Sequence, residues 1–170
     1  MSALRKLAAG AAALGLSTLM AGTAFASAGQ WTGSQQHYNV YSTYPNVVSE
    51  QAFMPPTYVD RFDMVTSVTA TVTAYNQPNT EQVRLCYTQP YAYSIIACTR
   101  YENISGQRII NGMGNFYAVD ANGNNETGGL YQNLSAKGNF TVQHRFPDGL
   151  QQSLLGDTGR DSIVVNYATD

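Results

Sequence analysis

The sequence has few charged residues, only two cysteines and, after its first 28 positions, no long apolar run. Charged residues make up 12% of the 170 positions and the basic ones do not cluster, which argues against a nucleic-acid-binding surface. No zinc-protease, serine-hydrolase, phosphate-loop or dinucleotide motif occurs. We therefore expect no catalytic residues, no cofactor and no enzymatic activity.

The first 28 residues have the features of a secretory signal peptide. Arg5 and Lys6 precede an uncharged, Ala-rich stretch that ends in small residues spaced A-x-A. Cleavage after Ala26 or Ala28 fits this pattern, and we favour Ala28. The remaining chain, 29–170, is expected to be one exported domain without a membrane span, with seven basic and eleven acidic residues and a net charge of −4.

The two cysteines favour a structural disulfide. Cys86 and Cys98 are too far apart for a C-x-x-C redox motif, and an exported protein meets an oxidising compartment. A zinc site would need two further ligands, and the only histidines, His37 and His144, are distant in sequence. We expect a disulfide and no metal, and a bond closing this loop would contribute roughly 3 kcal/mol.

Hydrophobic alternation with a period of two predicts strands. In 67–75, Val68, Ala70 and Val72 alternate with hydroxyl side chains, and 139–146 places aromatic and apolar residues on one face. Further predicted strands are 37–44, 83–88, 94–101, 115–119 and 162–168, and a short helix is possible near 150–155. Turn-rich segments between them predict an all-β fold, a small antiparallel β-sandwich of about seven or eight strands.

Scattered polar residues give only weak candidates for chemistry. His144 lies on an apolar strand face, so we expect a packed and hydrogen-bonded histidine. Asp157 and Asp161 flank Arg160, and we expect a solvated loop with a local ion pair there. The segment 120–126, "DANGNNE", resembles a calcium loop but lacks its glycine and terminal acid, so a plain turn-rich loop is expected.

Tyrosines around the cysteine hairpin are the strongest candidate for a binding surface. They suit stacking on a sugar or packing against a partner protein, although tyrosine is also a common strand residue. The candidate residues are Tyr87, Tyr91, Tyr93 and Tyr101.

The last predicted strand is a second candidate for binding. A strand at the end of the chain that forms a sheet edge could pair with a strand of a partner. Its residues are Ile163, Val164, Val165, Asn166 and Tyr167. On this interpretation, deleting 162–170 abolishes folding or partner binding.

The order of several short motifs resembles the FlhE family of periplasmic flagellar proteins. The matching residues are Arg84-Leu85-Cys86, Cys98, Phe146-Pro147-Asp148-Gly149 and Ile163-Val164-Val165-Asn166-Tyr167. The resemblance implies a compact periplasmic β-sandwich that is not an enzyme and is associated with flagellar assembly. Two segments, 87–97 and 102–137, are longer here than in the family pattern.

Two functions from different classes follow. The first is a periplasmic, non-enzymatic accessory protein of the flagellar system that binds a basal-body or export-apparatus component, as the resemblance implies. The second is an exported carbohydrate- or envelope-binding module that uses the tyrosine-rich surface.

Overall fold

The computed structural model describes residues 28–41, 44–75, 80–150 and 159–169. Within these ranges the chain forms strands and turns but no helix, so no helix there could cross a membrane. The expected signal peptide up to position 27, the possible helix at 150–155 beyond its first residue, and Asp157 lie outside the described residues.

Eleven strands build the fold. Their bounds are β1 (Ala28–Gln36), β2 (Val47–Phe53), β3 (Met64–Thr73), β4 (Glu81–Thr88), β5 (Ala97–Cys98), β6 (Glu102–Ile104), β7 (Gln107–Asn111), β8 (Tyr117–Val119), β9 (Asn125–Leu130), β10 (Asn139–Phe146) and β11 (Arg160–Ala168).

The strands form two antiparallel sheets that face each other as a sandwich. The smaller sheet has the order β1-β11-β3-β7. The larger sheet has the order β2-β10-β4-β5-β8-β9. In addition, β6 pairs with β4 at residues 81–83, before the part of β4 that pairs with β5. The prediction of an all-β antiparallel sandwich is confirmed. The number of strands is larger than expected because β1, β2, β6, β7 and β9 were not among the predicted strands.

Alternating burial in the long strands explains why the sequence revealed them. In β3, Val68, Ala70 and Val72 are buried while the residues between them are less so. In β10, Phe140 and Val142 face the same interior. Side chains of successive strand residues point to opposite faces, so a period of two marks a strand with one buried face.

The hydrophobic core lies between the sheets and is rich in aromatic side chains. Trp31 on β1 packs near Phe140 on β10, with ring centroids 6.1 Å apart. The Trp31 indole also donates a hydrogen bond of 3.1 Å to the carbonyl oxygen of Ala136, so the buried N–H group is satisfied. Other core residues with almost no exposure are Phe53, Leu85, Phe116, Leu134 and Ile163.

The predicted disulfide is present between β4 and β5. Cys86 and Cys98 are directly opposite each other in the antiparallel register, and their sulfur atoms are 2.05 Å apart. The predicted strand 94–101, however, is reduced to two residues. The Thr99 hydroxyl accepts a hydrogen bond of 3.0 Å from the Leu85 N–H group, so a side chain replaces the strand ladder at that point.

The prediction of a strand over 37–44 is wrong for the described residues of that range, 37–41 and 44. β1 ends at Gln36, one further backbone hydrogen bond joins His37 to Gly159, and the next described strand begins at Val47. The buried residues His37 and Val40 are three positions apart, whereas a strand buries every second residue.

The prediction that the last strand forms a sheet edge is also wrong. β11, which contains Ile163, Val164, Val165, Asn166 and Tyr167, pairs with β1 on one side and with β3 on the other. Both rows of its backbone hydrogen-bonding groups face a neighbouring strand, so strand addition by a partner has no access there. The described ends of the sheets are instead β1, β7, β2 and β9.

We predict that replacing both cysteines by serine lowers stability without unfolding the chain. The bond joins residues 12 positions apart, and removing a bond of this loop size costs about 3 kcal/mol. Urea unfolding of the double variant, compared with oxidised and reduced native protein, measures the loss. Equal midpoints for oxidised protein and variant would contradict the prediction.

Candidate functional site

A groove runs along the outer face of the larger sheet. Its floor is formed by outward-facing side chains of β4 and β10, including Arg84, Thr141 and Gln143. One wall is the connection between β4 and β5, and the other is the turn after β8. The groove has a volume of about 900 Å³. Its remaining lining is mixed, with Glu50, Ala52, Thr88, Ala92, Tyr93, Ser94, Ile95, Ile96, Val119, Asp120, Ala121, Gly123 and Asn139.

Arg84 is the central polar residue of the groove floor. Its Nε donates a hydrogen bond of 2.6 Å to Gln143 Oε1, and Gln143 Nε2 donates one of 2.5 Å to Glu50 Oε1. The guanidinium also stacks on the Tyr101 ring at 4.2 Å. Burial lowers the pKa of Arg84, although Tyr101 opposes this shift. The floor is therefore an ordered row of a cation, an amide and a carboxylate.

The turn at 120–124 is a wall of the groove. The Asp120 carboxylate accepts hydrogen bonds from the backbone N–H groups of Asn122 and Asn124, at 2.9 and 2.8 Å. These bonds lower the pKa of Asp120. Arg84 Nη1 donates to the Gly123 carbonyl oxygen at 2.8 Å and holds the turn beside the sheet. The predicted turn-rich loop over 120–126 is therefore present up to position 124, and β9 begins at Asn125.

The four candidate tyrosines do not form one surface. Tyr87 is buried in the core, where its hydroxyl contacts the backbone of Ser135. Burial raises the pKa of Tyr87 to about 12. Tyr101 is half-buried between the guanidinium groups of Arg84 and Arg145.

Tyr91 and Tyr93 are exposed but belong to different hollows. Tyr93 lines the groove, whereas Tyr91 lines a smaller hollow of about 390 Å³ beside Phe62 and Met64. Tyr91 has a φ of 62°, a left-handed conformation that reverses the chain in the turn closed by the Ala92-to-Gln89 backbone hydrogen bond. Of the proposed tyrosine surface, only Tyr93 lies at the groove.

A cluster of charged side chains is buried between the sheets. His144 on β10 contacts Glu81 through Nδ1 at 2.6 Å and Asp161 through Nε2 at 2.8 Å. Burial alone would lower the pKa of His144, but the hydrogen bonds and charges of the two carboxylates outweigh it and raise that pKa to about 9. At neutral pH the imidazole is therefore a cation that donates from both nitrogens.

His37 and Asp161 complete the buried cluster. The Asp161 carboxylate accepts from His37 Nε2 at 3.1 Å and from the Thr73 N–H group at 3.0 Å. Burial would raise the pKa of Asp161, but its bonds to His144 and His37 lower it instead. Since His144 belongs to the larger sheet and Asp161 to the smaller one, the cluster bridges the sandwich.

The structure corrects the sequence interpretation of these residues. Asp161 was expected in a solvated loop paired with Arg160, but it is fully buried in β11, and Arg160 is exposed and donates to the Ser34 hydroxyl. His144 is packed and hydrogen-bonded, as expected. His37 lies 107 positions from His144 in sequence, yet their rings are 4.8 Å apart. No local sequence pattern connects His37 to this cluster.

The two sites differ in what they can do chemically. The side chains of His37, His144 and Asp161 have no solvent exposure, so they cannot meet a dissolved substrate in this conformation. The groove is open to solvent and offers both polar and apolar contacts. An open groove with this mixed lining is therefore the candidate binding site of the described residues.

Comparison with known proteins finds several solved structures that match the chain, including one of FlhE and one of a carbohydrate-binding module. No protein-family model and no curated protein sequence matches the chain. A crystal structure of FlhE is 16% identical with a TM-score of 0.45, covering 83% of this chain and 97% of that one. A family 11 carbohydrate-binding module from Clostridium thermocellum, solved with a mixed-linked tetrasaccharide, is 9% identical with a TM-score of 0.36, covering 84% and 88%. At these values neither structure identifies the family or function of this chain.

We predict that Asp161→Asn destabilises the fold strongly. The substitution keeps the shape of the side chain but leaves His144 with one carboxylate in a buried site, at a cost of about 3 kcal/mol. Asp148→Asn, which removes an exposed carboxylate in the turn after β10, is the matched control and should change stability by less than about 0.5 kcal/mol. Chemical unfolding of both variants measures the difference, and equal midpoints would show that the bridge contributes nothing.

Proposed function

We propose that this chain is an exported, non-enzymatic accessory protein of the flagellar system that binds a basal-body or export-apparatus protein in its outer groove. The binding role is inferred from the open groove on the larger sheet. The motif order Arg84-Leu85-Cys86, Cys98, Phe146–Gly149 and Ile163–Tyr167 supports the flagellar assignment. The disulfide and the N-terminal signal pattern support a periplasmic location.

The composition of the groove supports a polypeptide as its ligand. Ile95, Ile96 and Val119 offer apolar contacts beside the polar row of Arg84, Gln143 and Glu50. A peptide segment carries both kinds of group, and a buried arginine is a frequent energetic anchor at protein interfaces. The burial of His144 and Asp161 away from the groove supports a non-enzymatic role.

We predict that Ser94→Trp abolishes partner binding while the fold is kept. Ser94 is exposed and lines the groove, so a large side chain there fills the space a partner would occupy. Thr32→Trp places the same side chain at an exposed position of β1 in the opposite sheet and is the control. In a flagellated host, chemical cross-linking in the periplasm followed by mass spectrometry identifies the partners of each variant.

The expected result is recovery of basal-body or export-apparatus proteins with the unsubstituted chain and Thr32→Trp but not with Ser94→Trp. Recovery of these proteins with all three chains would place the binding surface outside the groove. Recovery of none with any chain would overturn the flagellar assignment.

One observation favours carbohydrate as a second candidate ligand. The Tyr93 side chain is fully exposed and lies at the groove beside polar residues, an arrangement suited to stacking on a sugar ring. Tyr91 is similarly exposed but lines the other hollow, so it provides an internal control.

If the groove binds glycan, Tyr93→Ala should weaken binding at least about tenfold, as expected for the loss of a stacking platform. Tyr91→Ala should leave the affinity unchanged. Affinity electrophoresis or calorimetry with soluble envelope and plant-type glucans measures both. Equal losses for the two variants, or no glycan binding by the unsubstituted protein, would exclude this candidate.

A further inference from the structure

Three side chains that commonly bind metal ions meet inside the sandwich. One ligand atom each from His37, His144 and Asp161 lies within 4.8 Å of the others. They come from the segment after β1, from β10 and from β11, so both sheets contribute. All three side chains are completely buried. The folded backbone therefore brings two imidazoles and one carboxylate together at a single point.

The cluster holds two carboxylates and two imidazoles but no lysine or arginine. Glu81 and Asp161 are both buried, and no lysine or arginine in the described part of the chain forms an ion pair with either. A divalent cation would balance both carboxylates while the imidazoles bind it in their neutral form.

The surrounding hydrogen bonds orient the cluster as they do in known metal sites. His144 Nδ1 contacts Glu81 Oε1 at 2.6 Å, and Glu81 Oε2 accepts from the Tyr75 N–H group at 2.9 Å. A histidine that ligates through one nitrogen almost always donates the other N–H to a carboxylate or carbonyl group. Glu81 fulfils this role, which directs His144 Nε2 toward Asp161 and His37.

The separations between the donor atoms show how far the side chains must adjust to hold an ion. His144 Nε2 is 2.8 Å from Asp161 Oδ2, and His37 Nε2 is 3.1 Å from Asp161 Oδ1. Ligand atoms about 2.0 Å from one zinc ion at tetrahedral angles stand about 3.3 Å apart. With one donor atom from each residue the three lie within 4.8 Å of one another, so the two imidazole nitrogens must approach a single carboxylate oxygen of Asp161.

We propose that His37, His144 and Asp161 bind one divalent cation of the zinc type within the sandwich. Each imidazole ligates through Nε2 and Asp161 through a carboxylate oxygen, and the fourth position is left to water. Binding displaces the proton from His144 Nε2 to water, while Nδ1 keeps its proton and its hydrogen bond to Glu81. His37 ligates as the neutral tautomer that carries its proton on Nδ1, so its Nε2 gives up the hydrogen bond to Asp161. Two nitrogen donors favour zinc, copper or nickel over calcium and magnesium, which prefer oxygen ligands.

The test is a titration of Zn²⁺ into the full mature protein, purified without a histidine tag and freed of metal by chelation. Because the cluster is buried, zinc is supplied both to the folded protein and during refolding. We expect one equivalent to bind and the melting temperature to rise by about 5 °C at saturating zinc. Mg²⁺ and Ca²⁺ at the same concentration should have no such effect.

His37→Gln is the discriminating variant because it removes one ligand and leaves the contacts of His144 with Glu81 and Asp161 in place. We expect its zinc affinity to fall at least about 100-fold, and Asp148→Asn, which removes an exposed carboxylate in the turn after β10, to bind zinc normally. Co²⁺ bound in place of zinc should give the intense visible absorption of a tetrahedral site, and His37→Gln should lack it. Failure of the unsubstituted protein to bind zinc by either route, or unchanged binding by His37→Gln, would overturn the proposal.

Discussion

His144 joins the two sheets of the sandwich through charged hydrogen bonds. It lies on β10 of the larger sheet and contacts Asp161 on β11 of the smaller sheet, while Glu81 on β4 holds its other nitrogen. Charges in a water-free interior cost several kcal/mol each unless they are paired, so the sheets cannot close at this end with any partner missing. The relative placement of β10 and β11 is therefore constrained by electrostatics as well as by apolar packing.

The same strand places the two candidate sites back to back. Along β10, Val142 and His144 face the interior, whereas Thr141 and Gln143 face outward and line the groove. A shift of the β4–β10 pairing by one residue would exchange these faces and bury the groove floor. On the other side of β4, the disulfide between Cys86 and Cys98 fixes the register of β4 against β5, which supplies a wall of the groove through the connection between them.

Sequence patterns predicted the disulfide and the strands in which buried and exposed residues alternate. They did not predict strands such as β1, which has no such alternation and is held in place by pairing with a neighbouring strand. β1 contains two glycines and several polar residues, and Trp31 is its only fully buried side chain, so no periodic signal marks it. β11 shows strong alternation, but its position at the end of the chain says nothing about its position in the sheet. The buried cluster of His37, His144 and Asp161 could not be predicted because it also depends on how strands pair. The backbone hydrogen bond from the His37 N–H group to the Gly159 carbonyl oxygen extends the pairing of β1 with β11 and places His37 beside Asp161.

The framework of the groove and its walls are built from different parts of the chain. Leu85, Cys86 and Val165 belong to the core and the disulfide, and so they specify the framework. The groove walls instead come from the connection between β4 and β5 and from the turn after β8. Arg84 links the two, because it lies on β4 and also fastens the turn at Gly123 beside the groove. Walls that are built from loops can change their side chains without loss of the fold, so the contacts that select a ligand are separated here from those that hold the sheets together.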